Sequence, residues 1–478
     1  MEDLLMGERV EKDSIGEKKI TSSAYYGVQS VRAKENFQIT GRRLCPEFIR
    51  NLAQIKKAAA FANHEAGPLG YRRMQAIVHA CDDVIAGSLD DQFIVDPIQG
   101  GAGTSANMNA NEVIANRAIE YLGGKKGDYS IVHPNDHVNM AQSTNDVFPT
   151  AGKLTAMDLI FPLLEKLDKL NGALSEKAEE MKGIIKIGRT QLQDAVPETL
   201  GQTFGSYASM VRRTAGRIKN SEKELCSLNL GGTAIGTGIN TTPVYRSRVI
   251  PILANLKKLP LTAAADQMDA TQNLDCFVAV SGALKSCAVG ISKMCSDLRL
   301  LSSGPRGGIG ELALPAMQNG SSIMPGKVNP VIPEVVTQVC FAVIGNDASI
   351  TMAAEAGQME LNAFEPVLFD RLFDSIEEMT NAVSTLTSNC IVGIKANRER
   401  CLAILQAGTG AAAALDPYIG YCRSAEIAKE SMRTSMPFTE LALKESGLPA
   451  EQLEKILNPN LLAGSVRADS DEKNSAAV

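Results

Sequence analysis

The residues best equipped for chemistry stand in four polar clusters. The segment GSSIMPGKVNP, Gly320 to Pro330, gathers Ser321, Ser322, Lys327 and Asn329 in one short stretch. Hydroxyls, a cation and a carboxamide can together hold a carboxylate and supply a base; structure alone hardly requires that set. A second cluster, GGAGTS at 100–105, is followed by Asn107, Asn109, Asn111 and Glu112. Its glycines let a ligand approach the backbone, Thr104 and Ser105 offer hydroxyls, and free N–H groups ahead of a helix suit a carboxylate. Taken alone, a plain turn before a helix is the better reading. The third, Gln142-Ser143-Thr144-Asn145-Asp146, reads by itself as a helix N-cap. The fourth, GRTQLQD at 188–194, carries Thr190 and Gln191 and is weak alone.

Other familiar sites are missing. There is no Gly-x-Gly-x-x-Gly, no Walker loop and no Gly-x-Ser-x-Gly elbow; GGTAIGTG at 231–238 reads as a helix-breaking turn. The histidines, His64, His79, His133 and His137, form no zinc pair. No Cys-x-x-Cys occurs among the cysteines. Cys276, Cys287, Cys295 and Cys340 lie in apolar segments and read as small buried hydrophobes, a pattern that fits a reducing compartment. No metal ligand and no cofactor is therefore expected. A net charge of −6 without a basic stripe points away from nucleic acid. Met1 to Lys19 mixes charges of both signs and lacks the apolar stretch of a signal peptide. No unbroken apolar run of about 18 residues appears, so no membrane span is expected, and the expected location is cytoplasmic.

The elements that must position these clusters are helices. Plentiful alanine, leucine, glutamate and lysine, few aromatics and no tryptophan favour helix over a β-sandwich. From Lys153 to Lys182, Ile160, Leu163, Leu164, Leu167, Leu170 and Leu174 recur at spacings of three and four. Similar segments follow near 198–228, 262–300, 333–357 and 368–396, with no strand signal between them. Long helices with an apolar stripe must bury it against other helices. The expected fold is mainly α: a long central helical bundle at 145–399, flanked by smaller domains at 1–144 and 400–478. The N-terminal part is mixed, with helices near 47–66 and 71–87 and a short strand or extended arm at Ile20–Gly27. Residues 302–333, dense in glycine and proline, read as a long loop, with Pro333 and Glu334 opening the next helix. The last eighty or so residues form a small helical domain broken near Asp416-Pro417. The polar tail 465–478 is expected to be disordered.

GSSIMPGKVNP resembles the signature loop of the aspartase/fumarase superfamily, and the other three clusters resemble that family's conserved regions in order and spacing. The likeness runs from Tyr25-Tyr26-Gly27-Val28-Gln29 to about Asn458. It implies a multi-helix tetramer core in which three subunits contribute to each site, without a cofactor. It also implies an elimination that yields fumarate, with Ser321 as general base under a mobile loop. Loss of a proton beside the β-carboxylate creates an aci-carboxylate that needs aimed donors; the family places Thr104, Ser143, Thr144 and Ser322 there. Lys327, Asn329 and Thr190 would anchor the α-carboxylate, and Asn145 the amino group. Within the superfamily, GGAGTS, STND and Gln191 resemble the branch that releases ammonia from L-aspartate. Fumarate hydratases of class II typically read GSGTQT and SSND, with histidine in place of Gln191. Glutamine is a poor proton donor, which suits an ammonium that leaves already protonated. His133-Pro134-Asn135-Asp136 and Ile419-Gly420-Tyr421 look more like a fumarase and lie outside the substrate pocket that the family implies. The C-terminal end lacks the family's usual Thr/His-Pro ending.

Overall fold

The computed structural model describes residues 7–464; the tail at 465–478 lies outside the described residues. The chain opens with a hairpin, β1 (Glu8–Asp13) and β2 (Gly16–Thr21), then α1 (Val28–Asn36), α2 (Pro46–Glu65), α3 (Tyr71–Ile85), α4 (Thr104–Tyr121) and the long α5 (Thr144–Glu180). A second hairpin follows, β3 (Ile185–Thr190) and β4 (Gln193–Thr199), then α6 (Leu200–Ser221), β5 (Ser227–Leu228), α7 (Pro243–Lys257), β6 (Thr262–Ala263) and α8 (Asp269–Gln272). Next come α9 (Asp275–Leu301), β7 (Leu312–Ala313), α10 (Val331–Glu355), α11 (Glu365–Asn389) and β8 (Lys395–Ala396). The C-terminal helices are α12 (Arg398–Ala407), α13 (Asp416–Ile419), α14 (Tyr421–Thr434), α15 (Phe438–Glu445), α16 (Ala450–Ile456) and α17 (Pro459–Leu462). The architecture is mainly α, as the composition implies. The helices expected near 47–66 and 71–87 are α2 and α3, and the long loop lies between α9 and α10, with Pro333 and Glu334 in the first turn of α10.

Both hairpins correct the sequence reading. The N-terminal strands begin before Ile20. They escape a search for alternating apolar residues because their pairs are charged: Glu11 stands opposite Lys18 and Lys12 opposite Glu17. Asp13 closes the turn by accepting the N–H of Ile15 at 2.9 Å and of Gly16 at 3.1 Å. The β3–β4 hairpin stands where helices were expected to follow one another without a strand. Its two-residue turn, Gln191-Leu192, takes left-handed φ values of 53° and 63° without a glycine or asparagine to announce it.

The chain packs as two units. The first comprises, of the described residues, 7–164, 216–288 and 341–380. Its core holds the alanine-rich face of α2, where Leu52, Ile55, Ala58, Ala59 and Ala62 are inaccessible. It also holds an aromatic group in which Phe48 meets Phe148 edge-on at 5.0 Å and Phe277 meets Phe369 at 4.9 Å. The helix α1 starts at Gly27, which has no side chain to cap it; the buried Glu112 of α4 accepts the N–H groups of Gly27, Gln29 and Ser30 at 2.8, 2.8 and 3.1 Å. The second unit comprises, of the described residues, 165–215, 289–340 and 381–464. In it, Leu415, Ile427, Phe438, Leu441 and Leu453 make a compact core for the C-terminal helices.

Against the expectation drawn from the lack of an unbroken apolar run, α5, α9 and α10 are each long and apolar enough to cross a membrane. Small, hydroxyl and a few charged or amide residues, such as Lys153 in α5, Lys285 in α9 and Asp347 in α10, interrupt the runs without making the helices polar. The apolar stretch of α5 is 78% buried within the chain, but those of α9 and α10 are only 44% and 33% buried. The last two therefore keep apolar surface uncovered. Cys287, Cys295 and Cys340 are buried as expected, and Cys276 is half-buried.

Candidate active site

Thr104 begins α4 after three residues with positive φ, Gly101, Ala102 and Gly103. At Gly103 the requirement for glycine is double: φ is +86°, and a Cβ would lie 2.4 Å from the Phe148 ring. Thr104 is exposed and donates its hydroxyl to Gly101 O at 2.7 Å. Of the asparagines that follow, Asn109 is structural. It accepts the Ile94 N–H at 2.9 Å and donates to Gln92 O at 3.0 Å.

Ser143 and Asp146 cap α5 reciprocally. Ser143 Oγ accepts the N–H of Asn145 at 3.2 Å, and Asp146 Oδ1 accepts the N–H of Ser143 at 3.0 Å. The other oxygen of Asp146 accepts the N–H groups of Gly231 and Thr233, both at 3.0 Å, so the GGTAIGTG turn is bolted to the start of α5. Burial pushes the Asp146 carboxyl up to about 6, while those three N–H bonds and the nearby Lys56 pull the other way. Asn145 donates to Ala234 O at 2.7 Å and its own carbonyl accepts from Asn229 at 3.0 Å. Thr144 is buried, and its Oγ1 accepts from Asn107 Nδ2 at 3.1 Å. Asn107 lies in the first turn of α4, so this bond draws the starts of α4 and α5 together.

The first unit thus holds Thr104, Ser143, Thr144 and Asn145; the second holds Thr190, Gln191, Ser321, Ser322, Lys327 and Asn329. Thr190 and Gln191 form the exposed tip of the β3–β4 hairpin. Beside them Arg189 clamps Glu311 with two bonds of 3.0 and 2.8 Å. Glu311 is fully buried, and its backbone carbonyl accepts the Asn397 N–H at 2.9 Å. The hairpin and the stem of the long loop are therefore fixed to one another. Within GSSIMPGKVNP, Gly320 N–H donates to Lys327 O at 2.8 Å and Asn329 Nδ2 to Gly320 O, also at 2.8 Å. Ser321 Oγ accepts the N–H groups of Ile323 at 3.2 Å and Met324 at 3.1 Å. Ser322 and Lys327 are exposed, and Lys327 forms no ion pair among the described residues. Lys327 and Asn329 line a cleft of ≈ 780 Å³ with Ser303, Gly304 and Pro305. Among the described residues no hydrogen bond joins Thr190 or Gln191 to Ser321.

One residue in this arrangement escapes a motif search, Lys56; Asn107 stood in the GGAGTS cluster without a role. Lys56 had one signal: it lies on the apolar face of α2, between Ile55 and Ala59, where a charged side chain is out of place. Among the described residues one group outside these clusters has metal-ligand spacing, Cys45, Glu47 and Glu377, with ligand atoms within 4.8 Å of one another. Burial pushes the Cys45 thiol up to about 12, which keeps it protonated, and Glu47 already accepts from Arg50 at 2.8 Å.

Residues 16–345 match the family model described as lyase, and residues 412–464 match that of the fumarase C C-terminus. The chain belongs to the aspartase/fumarase lyase family. It is 53% identical over 451 residues to an aspartate ammonia-lyase of Bacillus sp, covering 94% of this chain and 96% of the relative. It is 52% identical over 458 residues to the aspartate ammonia-lyase of Helicobacter pylori, covering 95% and 98%. Among solved structures it resembles a fumarate lyase:delta crystallin from Brucella melitensis bound to cobalt (49% identity, TM-score 0.93, 96% and 100% of the two chains). It also resembles a recombinant class II fumarase from Schistosoma mansoni (34% identity, TM-score 0.93, 96% and 99%).

Proposed function

We propose that this chain catalyses the reversible deamination of L-aspartate to fumarate and ammonia. The observation that carries the reading is the difference between relatives of one fold. Identity to aspartate ammonia-lyases reaches 53% over nearly the whole chain, against 34% to a class II fumarase. GGAGTS, STND and Gln191 lean the same way. Ser321 takes the proton from the carbon next to the β-carboxylate. Thr104, Ser143, Thr144 and Ser322 donate to the aci-carboxylate that forms, Lys327, Asn329 and Thr190 hold the α-carboxylate, and Asn145 holds the amine. Gln191 need supply no proton, because ammonium leaves protonated. Two N–H bonds to Ser321 Oγ support its role as base, since they favour an oxyanion there.

The working form is a cytoplasmic homotetramer with each site drawn from three subunits. Exposed apolar side chains on the long helices support that assembly: Phe161 of α5, Val289 of α9, and Phe341 and Met352 of α10. Activity that persists in a monomer, seen by ultracentrifugation at assay concentration, contradicts it. The function is tested by following fumarate absorbance with L-aspartate and L-malate offered in parallel. Fumarate from aspartate and not from malate is expected; fumarate from malate alone means a hydratase and overturns the reading.

A further inference from the structure

Lys56 is fully buried. Its Nζ donates to Asn107 Oδ1 at 2.7 Å and to Asn139 Oδ1 at 2.8 Å. Burial pulls its pKa down to about 7, with the charge of Asp146 opposing that shift. Packing alone has no use for such a residue: a methionine would fill the volume without the cost of burying an amine. Its consequence lies in the direction of the bonds beyond it.

A lysine amine directs hydrogens, not lone pairs, at two amide oxygens here. Asn107 must therefore turn Oδ1 toward Lys56 and Nδ2 away. One Nδ2 hydrogen goes to Thr144 Oγ1 at 3.1 Å and the other to Asn139 Oδ1 at 3.3 Å. Flipping the Asn107 amide would set its NH₂ against the Lys56 amine and its oxygen against that of Asn139. Asn139 cannot flip to relieve this, because its Nδ2 donates to Gln142 O at 3.1 Å. Thr144 Oγ1 is thus forced to accept from inside the protein. Its own hydrogen stays free, and among the described residues no acceptor takes it.

We infer that Lys56 and Asn107 are positioning residues that fix the polarity of the Thr144 hydroxyl, so that it donates to the substrate carboxylate as negative charge develops there. The inference rests on the proposed function, in which Thr144 faces that carboxylate. Donors held in place before the reaction are worth most where charge appears in the transition state. A hydroxyl free to turn inward would present a lone pair to the aci-carboxylate instead.

Asn107→Asp tests this with almost no change in shape. The carboxylate still gives Lys56 an oxygen, but it replaces the donor facing Thr144 with an acceptor, so the hydroxyl must turn inward. Expected is a loss of about a hundredfold in kcat for L-aspartate, as for removal of one oxyanion donor. KM should move by less than about threefold, since the contact matters mainly in the transition state. Thr144→Val should lose a similar factor, and the double variant no more than either alone, because both remove the same donor. A kcat for Asn107→Asp within about twofold of wild type, or losses that multiply in the double variant, overturns the relay. If Asn107→Asp does not fold by circular dichroism, Lys56→Met, which unlocks the amide, takes its place; a folded Lys56→Met with wild-type kcat overturns it equally. Wild type assayed beside the variants separates the two ideas. If it makes fumarate from malate alone, the functional reading falls and the relay is measured on malate; if it is inert toward both, both fall.

Discussion

Replacing Ser321 with alanine removes the proposed base and leaves the loop backbone alone. A water-like hydroxyl ionises far above neutral pH, and doing so at neutral pH costs roughly 12 kcal/mol. The structure supplies two backbone N–H groups to Ser321 Oγ, at 3.2 and 3.1 Å. Hydrogen bonds to a charged group contribute about 1.5–3 kcal/mol each, so the pair offsets about 3–6 kcal/mol. About 6–9 kcal/mol, half to three-quarters of the cost, is left. In the proposed mechanism the rest would come from Lys327 on the same loop, whose ammonium has no carboxylate partner among the described residues. Ser321→Ala should therefore bind L-aspartate with KM within a few-fold of wild type and lower kcat at least a hundredfold, the lower bound for a positioned base. Fumarate absorbance under saturating substrate measures it. Turnover within about fivefold of wild type would falsify the serine base and the assignment of GSSIMPGKVNP as the catalytic loop.

Three further outcomes follow from the packing. Gly103→Ala combines a left-handed φ with a Cβ 2.4 Å from the Phe148 ring, so it should destabilise by about 2–4 kcal/mol and displace Thr104; an unchanged urea midpoint and unchanged kcat/KM would refute both steps. Glu311→Ala leaves Arg189 and Lys186 without their shared buried carboxylate and should cost about 3–5 kcal/mol, with faster amide exchange in the β3–β4 hairpin; identical exchange in variant and wild type would show that the hairpin is held by something else. Asp13 is held below its ordinary value, first by its bond to Arg32 and then by the N–H groups of Ile15 and Gly16, although burial works against them. A depressed carboxylate stabilises the fold above its unfolded pKa and loses that contribution as pH falls through the folded value. Acidification below about pH 4 should therefore loosen the β1–β2 hairpin from α1. Hydrogen exchange across residues 8–21 reads this out, and an Asp13→Asn chain that loosens at the same pH as wild type would count against Asp13.

The sequence by itself determined the helical class, the long loop before α10, and the polar clusters from which the proposed site is drawn. Those properties are local. A stripe of leucines at spacings of three and four, as from Ile160 to Leu174, demands a buried helix face whatever its partner, and GSSIMPGKVNP bears its hydroxyls and cation wherever it is placed. The two hairpins were not legible, because charge pairs hold the first and a left-handed Gln191-Leu192 turn without glycine forms the second. The start of α5 at Thr144, ahead of the apolar pattern that begins near Lys153, was fixed by Asp146 reaching Gly231 and Thr233, residues far along the chain. The same holds for Glu112, which in sequence resembled part of a binding cluster and in the fold caps α1. Only the tertiary structure could make Lys56 matter. Its neighbours in sequence, Ile55 and Lys57, take no part in its bonds, and its partners Asn107 and Asn139 come from other segments. A hydrogen bond has a direction, and that direction is set by what stands on the far side of each group, which no single segment contains.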